Sequence, residues 1–534
     1  MGYSGPVVAL ALVLLRALGL LGQGLVLGGA AFGLVALRPW LVAEPDLGPA
    51  VRRALALARA GAVLLLAAQA ATLALILASI ADAPGWSLSA FLATPLALAS
   101  GARALTALVA LAACARVSRE PRARGPWLAL LIVGLAAAVG AAWTSHAAGR
   151  LAGRGWLLVA DALHQAAIAI WVGGLVHLTA LFLARGDRPW PARALQGFSR
   201  LACGALTVLV ASGATLALAF VGGVDALIGT AYGGMLLAKT TLFAALLALG
   251  ALNFRAVSRL PPGRSVLPPR LRRFVEVEAG LAITVLFVAA SLGSAPPAVD
   301  VVADRASMSE VLGRFAPRWP SFTTPSLAEL ASASALDDPL APRTAADTAW
   351  SEYNHNVAGF FVLVMGVLAA LHRLAGIHWA RHWPLVFLAL SAFLLLRSDP
   401  NAWPLSATQT FVDGLRDPEV LQHRLLALVP AALGVLEWLI QERRVAAPGW
   451  ARVLPLLFAV GGGLLLAHAH PLVRVKEAYL MEVTHLPLGL LGVLIGWARW
   501  LELRLPAADR RIPAQIWPPA LALVGLLLLL YREG

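Results

Sequence analysis

Ten residues have the types and spacing to hold a transition-metal ion: His146, Asp161, His164, His355, His423, His468, His470, Met481, Glu482 and His485. Imidazole is the commonest protein ligand for such ions, and ionisable groups inside apolar segments are costly unless they serve a purpose. The residues fall into two groups. In the first, His146 closes the stretch Trp143-Thr-Ser-His146, and His164 follows Asp161 by three positions. On a helix that spacing puts Asp161 and His164 on one face. A carboxylate there ligates metal directly or orients the imidazole. In the alternative, His164 donates to a backbone carbonyl and Asp161 pairs with Arg16, Arg103 or Lys239. The combination favours a site.

The second group is denser. His468-Ala-His470 precedes Pro471, and a proline disfavours the helical region for the residue before it. The chain can therefore turn there and bring both rings to one side. Glu482 and His485 form a Glu-x-x-His pair, an arrangement that helical bundles use to hold metals. Met481 adds a soft thioether, and His423 and His355 are candidates to complete the set. The competing reading is a collection of interfacial polar residues capping helix ends. His177 follows His164 by thirteen positions, about 20 Å deeper along a helix and on a nearly opposite face. It is either a lower station or a packed polar residue. His372, His378 and His382 share one short loop and read as a solvated surface. Cys114 and Cys203 belong to no CxxC pair and read as small apolar residues.

The elements that position these groups follow from composition. The chain has 534 residues, of which 60% are hydrophobic and 13% charged, with a mean hydropathy of +0.78. A soluble chain of this size cannot hide so much apolar surface. The expected fold class is all-α, a polytopic transmembrane bundle of about fourteen spans, each needing roughly 20 apolar residues. Eight spans occupy a membrane domain over 1–294. A connecting segment rich in Pro, Ser and Asp covers 295–354, and six further spans fill 355–534.

The net charge of +14 resides mostly in short loops. Arg116, Arg119, Arg122 and Arg124 follow the third span and six arginines lie between Arg255 and Arg273, whereas loops 81–91 and 222–232 carry none. By the positive-inside rule the arginine-bearing loops are cytoplasmic and both termini face outward. Retention of positive loops accounts for the charge, and no nucleic-acid partner is expected. This sidedness puts all ten candidates at or near the outer surface. No phosphate-binding motif is present, so neither ATP hydrolysis nor any other enzymatic activity is expected.

Residues from about 130 to 260 resemble the CopD family of copper-resistance membrane proteins. The similarity lies in Ser145-His146-Ala147, Asp161-Ala-Leu-His164, Ile170-Trp-Val-Gly-Gly-Leu175, Phe198-Ser-Arg200, Thr230-Ala-Tyr-Gly233, Lys239 and Asn253. Family members usually have Gly where this chain has Ser145. The last six spans look like the C-terminal extension of longer members, through Glu352-Tyr-Asn-His355, Gln422-His423-Arg424, Glu437-Trp438, His468-Ala-His470 and Arg499-Trp500-Leu-Glu-Leu-Arg504. The resemblance implies copper as the bound ion and a bacterial inner-membrane location. It further implies capture of periplasmic copper by outer histidines and transfer to the cytoplasm, with a periplasmic copper-carrying protein as a partner beside the lipid bilayer. From the residues alone the ion is only a transition metal. A haem-binding redox protein with histidine axial ligands, and a non-transporting metal-binding assembly or sensing factor, are the alternatives.

Overall fold

A computed structural model describes residues 4–43, 48–81, 85–185, 189–261, 263–334, 344–397, 399–400, 402–406, 410–416, 418–445, 449–467 and 474–533. The architecture is helical throughout. Among the described residues the strands amount to a two-residue antiparallel pair, Trp190–Pro191 against Arg264–Ser265. Two compact units divide the chain, one built mainly from Tyr3–Ala303 and the other mainly from Asp304–Leu466 and Val473–Gly534.

The principal helices of the first unit are α1 (Ser4–Phe32), α2 (Gly48–Ile80), α3 (Pro95–Arg119), α4 (Arg124–Ala142), the single turn α5 (His146–Gly149), α6 (Arg154–Arg185), α7 (Ala192–Val221), α8 (Ala231–Ser258) and α9 (Pro269–Leu292). The second unit contains α10 (Ala345–Leu374), α11 (Val386–Arg397), α12 (Pro418–Gln441), α13 (Val453–Leu466), α14 (Val475–Glu482), α15 (His485–Arg504) and α16 (Arg511–Leu529). Among the described residues thirteen helical segments are long and apolar enough to cross a membrane, and Trp450–Leu466 is a shorter apolar one. The protein is a multi-pass helical membrane protein.

In lipid, helices associate through close packing rather than through a hydrophobic drive, so small residues mark their contacts. α1 and α6 meet in this way. A Cβ on Gly173 would lie 1.8 Å from the Gly24 carbonyl oxygen, and one on Gly28 would lie 2.5 Å from the Gly173 Cα. The backbones therefore touch, which brings the polar residues at the two helices' ends into one neighbourhood. Gly462 and Gly489 do the same for α13 and α15. In the first unit, Arg103 is buried and bonds Gln23 and Gln69 at 3.3 and 3.4 Å, so it is taken up within α1–α3.

The second unit packs around Met365, Trp383, Phe387, Ile495 and Trp517. A charged cluster lies beside that core. Arg499 bonds Glu437 at 2.9 Å and Glu502 at 2.5 Å, Trp517 donates to Glu502 at 2.7 Å, and Arg373 lies 3.3 Å from Glu502. The stretch 295–334, read from sequence as irregular, contains two short helices, Met308–Arg314 and Leu327–Ser334. The first carries a capping box between Ser307 and Glu310. Lys476 and the Ser307 groups bond the exposed Glu310 carboxylate and hold it far below its ordinary range, at about 2.

A candidate metal site

The first site group converges on one cavity. His146, Asp161 and His164 all line a pocket of about 370 Å³ at the predicted outer end of the first unit, together with Arg16, Tyr232 and Lys239. α5 exists because Ser145 caps it, its hydroxyl accepting from the Ala147 amide at 3.2 Å. The same hydroxyl donates to the Ala142 carbonyl at 2.8 Å and lies close to Asp161. Ser145, the departure from the family's usual Gly, thus touches the site as well as shaping the backbone.

His146 begins that turn. Its ring sits edge-on to Phe220 and Tyr232, with centroids 6.1 Å away in each case, and faces the Leu292 carbonyl. Its Nε2 is buried with no hydrogen-bond partner. Burial first, and the Arg16 guanidinium next, hold the imidazole below its ordinary value of 6.5. The neutral ring therefore keeps a lone pair. Asp161 is 6% exposed. Its Oδ1 accepts from Gln165 at 3.4 Å, whereas its Oδ2 is buried without a partner.

The pairings anticipated for Asp161 do not form among the described residues. Arg16 donates instead to the carbonyls of Gly293 and Thr144, at 3.2 and 3.5 Å, where a cation complements two helix ends. Lys239 acts on Asp161 only through its charge.

His164 is oriented by α7. Ser212 gives its own proton to the Val208 carbonyl at 2.6 Å, so its oxygen can accept from His164 Nδ1 at 3.2 Å. That tautomer leaves Nε2 as the ring's basic nitrogen. Ser212 escaped the sequence reading, although a serine at an apolar span's packed face is itself a signal of such a role. Over this cavity Arg150 forms a two-pronged bond with Asp300 at 2.8 and 2.9 Å, and its guanidinium lies 5.3 Å from the centre of the Phe220 ring. An arginine at a predicted outer end is thereby neutralised.

His177 is fully buried. Its Nδ1 lies 2.8 Å from the Gly173 carbonyl and its Nε2 3.3 Å from that of Ala54. It packs as a polar residue and does not line the cavity.

The second group separates. His355 and His485 come together, ring centroids 5.9 Å apart, with Tyr531 stacked on His355 at 4.0 Å. His355 bonds the Ser351 carbonyl through Nδ1 at 2.8 Å and His485 the Met481 carbonyl through Nδ1 at 3.0 Å. Both rings are therefore set with Nε2 as the basic nitrogen. Met481 contributes its carbonyl to this arrangement.

α14 ends at Glu482 and α15 starts at His485, but Val483 and Thr484 between them keep right-handed helical angles and one apolar helical segment runs Val475–Arg504, so Glu482 and His485 keep their three-residue helical spacing. Pro487 has no amide to donate to the Val483 carbonyl, so the ladder lapses there. His423 bonds Asp399 at 2.8 Å, a partner the sequence reading did not name. His468 and His470 lie outside the described residues. Of the loop histidines, His382 accepts from Trp438 at 3.0 Å and is not merely solvated. Among the described residues no three His, Cys, Asp or Glu side chains are gathered closely enough to hold a metal ion.

Fold and cavity define a class: a multi-pass helical membrane protein with a histidine- and carboxylate-lined pocket at one end. Residues 192–292, which span α7–α9, match the family described as CopD, copper resistance protein D. The match overlaps the resemblance expected over 130–260 from Ala192 to Leu260 and continues to Leu292. The matched segment supplies Ser212, Lys239 and Asn253, and stops short of His146, Asp161 and His164. The chain is also similar to copper transport protein CutJ of Bacillus subtilis (strain 168), with 32% identity over 178 residues, 32% of this chain and 31% of that protein. The chain thus spans about a third of that relative's length. No solved structure matches.

Proposed function

We propose that this protein captures copper ions at the outer face of a bacterial inner membrane and passes them toward the cytoplasm, with both termini outside. One observation carries the proposal: two buried polar atoms, His146 Nε2 and Asp161 Oδ2, have no protein partner, and their residues line one cavity. Buried polar atoms normally find partners, and unpaired ones in a cavity call for a ligand. His164 adds a second imidazole, oriented by Ser212. Ligation by all three requires side-chain rotation, because they are not drawn into a cluster. Imidazole with carboxylate suits copper among several borderline ions. Copper is chosen because the matched family and the relative are both named for it. His355 and His485, whose rings meet, form a second candidate station, with Glu482 three residues before His485 as a further donor. A periplasmic copper carrier fits as the source of the ion. An inside-negative potential favours cation entry by about 2.3 kcal/mol per charge at 100 mV.

Copper uptake into proteoliposomes tests the proposal. His146→Ala with His164→Ala should lower uptake at least about tenfold, the usual scale for disturbing a metal site, and the same is expected of His355→Ala with His485→Ala. Unchanged uptake in both double variants would count decisively against capture of the ion by these histidines. Stoichiometric copper binding without any uptake by the natural chain would instead support an assembly or sensing factor.

A further inference from the structure

Below the cavity lies a carboxylate that metal capture does not use. Glu278, on α9, is 4% exposed near the middle of a span. Its partners are neutral: Asn253 of α8 donates to Oε2 at 2.6 Å, and the Trp171 indole of α6 donates as well. The charged and titratable groups on the helices around it are engaged elsewhere or distant along the chain. On its own helix, Glu276 bonds Arg273. On α6, His177 takes two backbone carbonyls. On α8, Arg255 is exposed and Lys239 lies fourteen residues away at the cavity. On α1, Arg16 bonds Gly293 and Thr144. Among the described residues Glu278 has no ion pair.

A carboxylate ionised in such a place without a counter-charge is strongly disfavoured, so it either carries a proton or balances a passing cation. Asn253 makes the place still more receptive, since its Oδ1 is buried with no partner. The wall between Glu278 and the cavity is thin. Phe243 lines the cavity, and the Trp171 ring stands edge-on to it at 5.9 Å.

We infer that Glu278, held by Asn253 and Trp171, is a proton-exchange site that carries its proton while the cavity above is empty of cations and releases it when one enters. The balance is simple: the carboxylic O–H bond breaks, the proton leaves to water, and the carboxylate left behind offsets the arriving charge. Val285 lines the cavity seven residues along α9, about 10 Å away at 1.5 Å per residue. At that separation and an effective dielectric constant near 20, a unit charge alters a proton equilibrium about tenfold. The first half of the inference stands alone, and the release step rests on the metal-capture proposal.

Infrared difference spectroscopy on the full chain in lipid nanodiscs distinguishes the two. At neutral pH without metal, the natural protein should show a protonated-carboxyl band that Glu278→Gln removes and Glu278→Asp shifts. An identical band in the natural chain and Glu278→Gln would overturn the inference, whatever copper does. Added cuprous or cupric ion should diminish the band, with one proton fewer released by Glu278→Gln in an indicator-dye assay. Copper bound with the band unchanged would refute the release step. If the natural chain binds no copper, the capture proposal fails, and the metal-free band alone decides whether Glu278 holds a proton.

Discussion

The two units handle buried charge in opposite ways. In the second, Arg499 and Arg373 meet Glu437 and Glu502, two cations to two anions, and Trp517 adds a further bond to Glu502. In the first, Asp161 keeps one oxygen unpartnered, His146 keeps a nitrogen unpartnered, and Arg16 is turned away to helix-end carbonyls. The matched cluster leaves only N–H donors over, the Nε of Arg373 and of Arg499, so it has no lone pair to offer a metal ion and its interactions hold helices together. An incomplete one has spare ligand capacity at a cost in stability. Richness in charged residues is therefore a poor guide to a site. Whether the charges satisfy one another is the better one.

Removing one partner from the matched cluster should have the largest effect. Glu437→Ala leaves Arg499 and Arg373 to share the single carboxylate of Glu502, an excess buried positive charge at a cost of up to about 3–5 kcal/mol. Thermal unfolding of the solubilised protein, followed by size-exclusion chromatography, should show a pronounced loss. A loss no greater than that of an exposed substitution would erase the contrast between the units.

The next effect concerns affinity rather than stability. Ser212→Ala removes the acceptor that orients His164, and copper affinity in a chelator competition should fall about tenfold to a hundredfold with little change in unfolding temperature. Equal affinity would mean that packing and the Leu209 carbonyl, which His164 also meets, hold the ring without Ser212.

The smallest expected effect is the pH response of His146. Burial and Arg16 depress its proton affinity in the fold, so the unfolded chain binds more protons once pH falls below the ordinary 6.5. Its contribution to stability is whole above that value and declines as pH drops beneath it, by at most about 1.4 kcal/mol per pH unit. Comparing unfolding temperatures of the natural chain and His146→Gln from pH 7 to 5 isolates the term. Parallel curves would show that the site does not resist protonation.

Much of the fold was legible in the sequence because lipid imposes one rule everywhere: a span must be helical, long and apolar. Fourteen apolar segments, counting Trp450–Leu466, could be read one by one. The grouping of His146, Asp161 and His164 was legible too, because a short connection joins the helices that carry them. The partner of His423 was not, since Asp399 is twenty-four residues away and reaches it through the fold.

By itself, the order of residues determined an all-helical membrane bundle, the approximate spans, and which polar side chains sit at which helix end, because hydropathy and helical rise are local properties. Only the tertiary structure decided which of those side chains are satisfied by neighbours and which are left over. Burial and hydrogen bonding belong to helices brought together from distant parts of the chain. The Gly24–Gly173 crossing, Ser212 beside His164 and Asn253 with Trp171 on Glu278 are all such meetings.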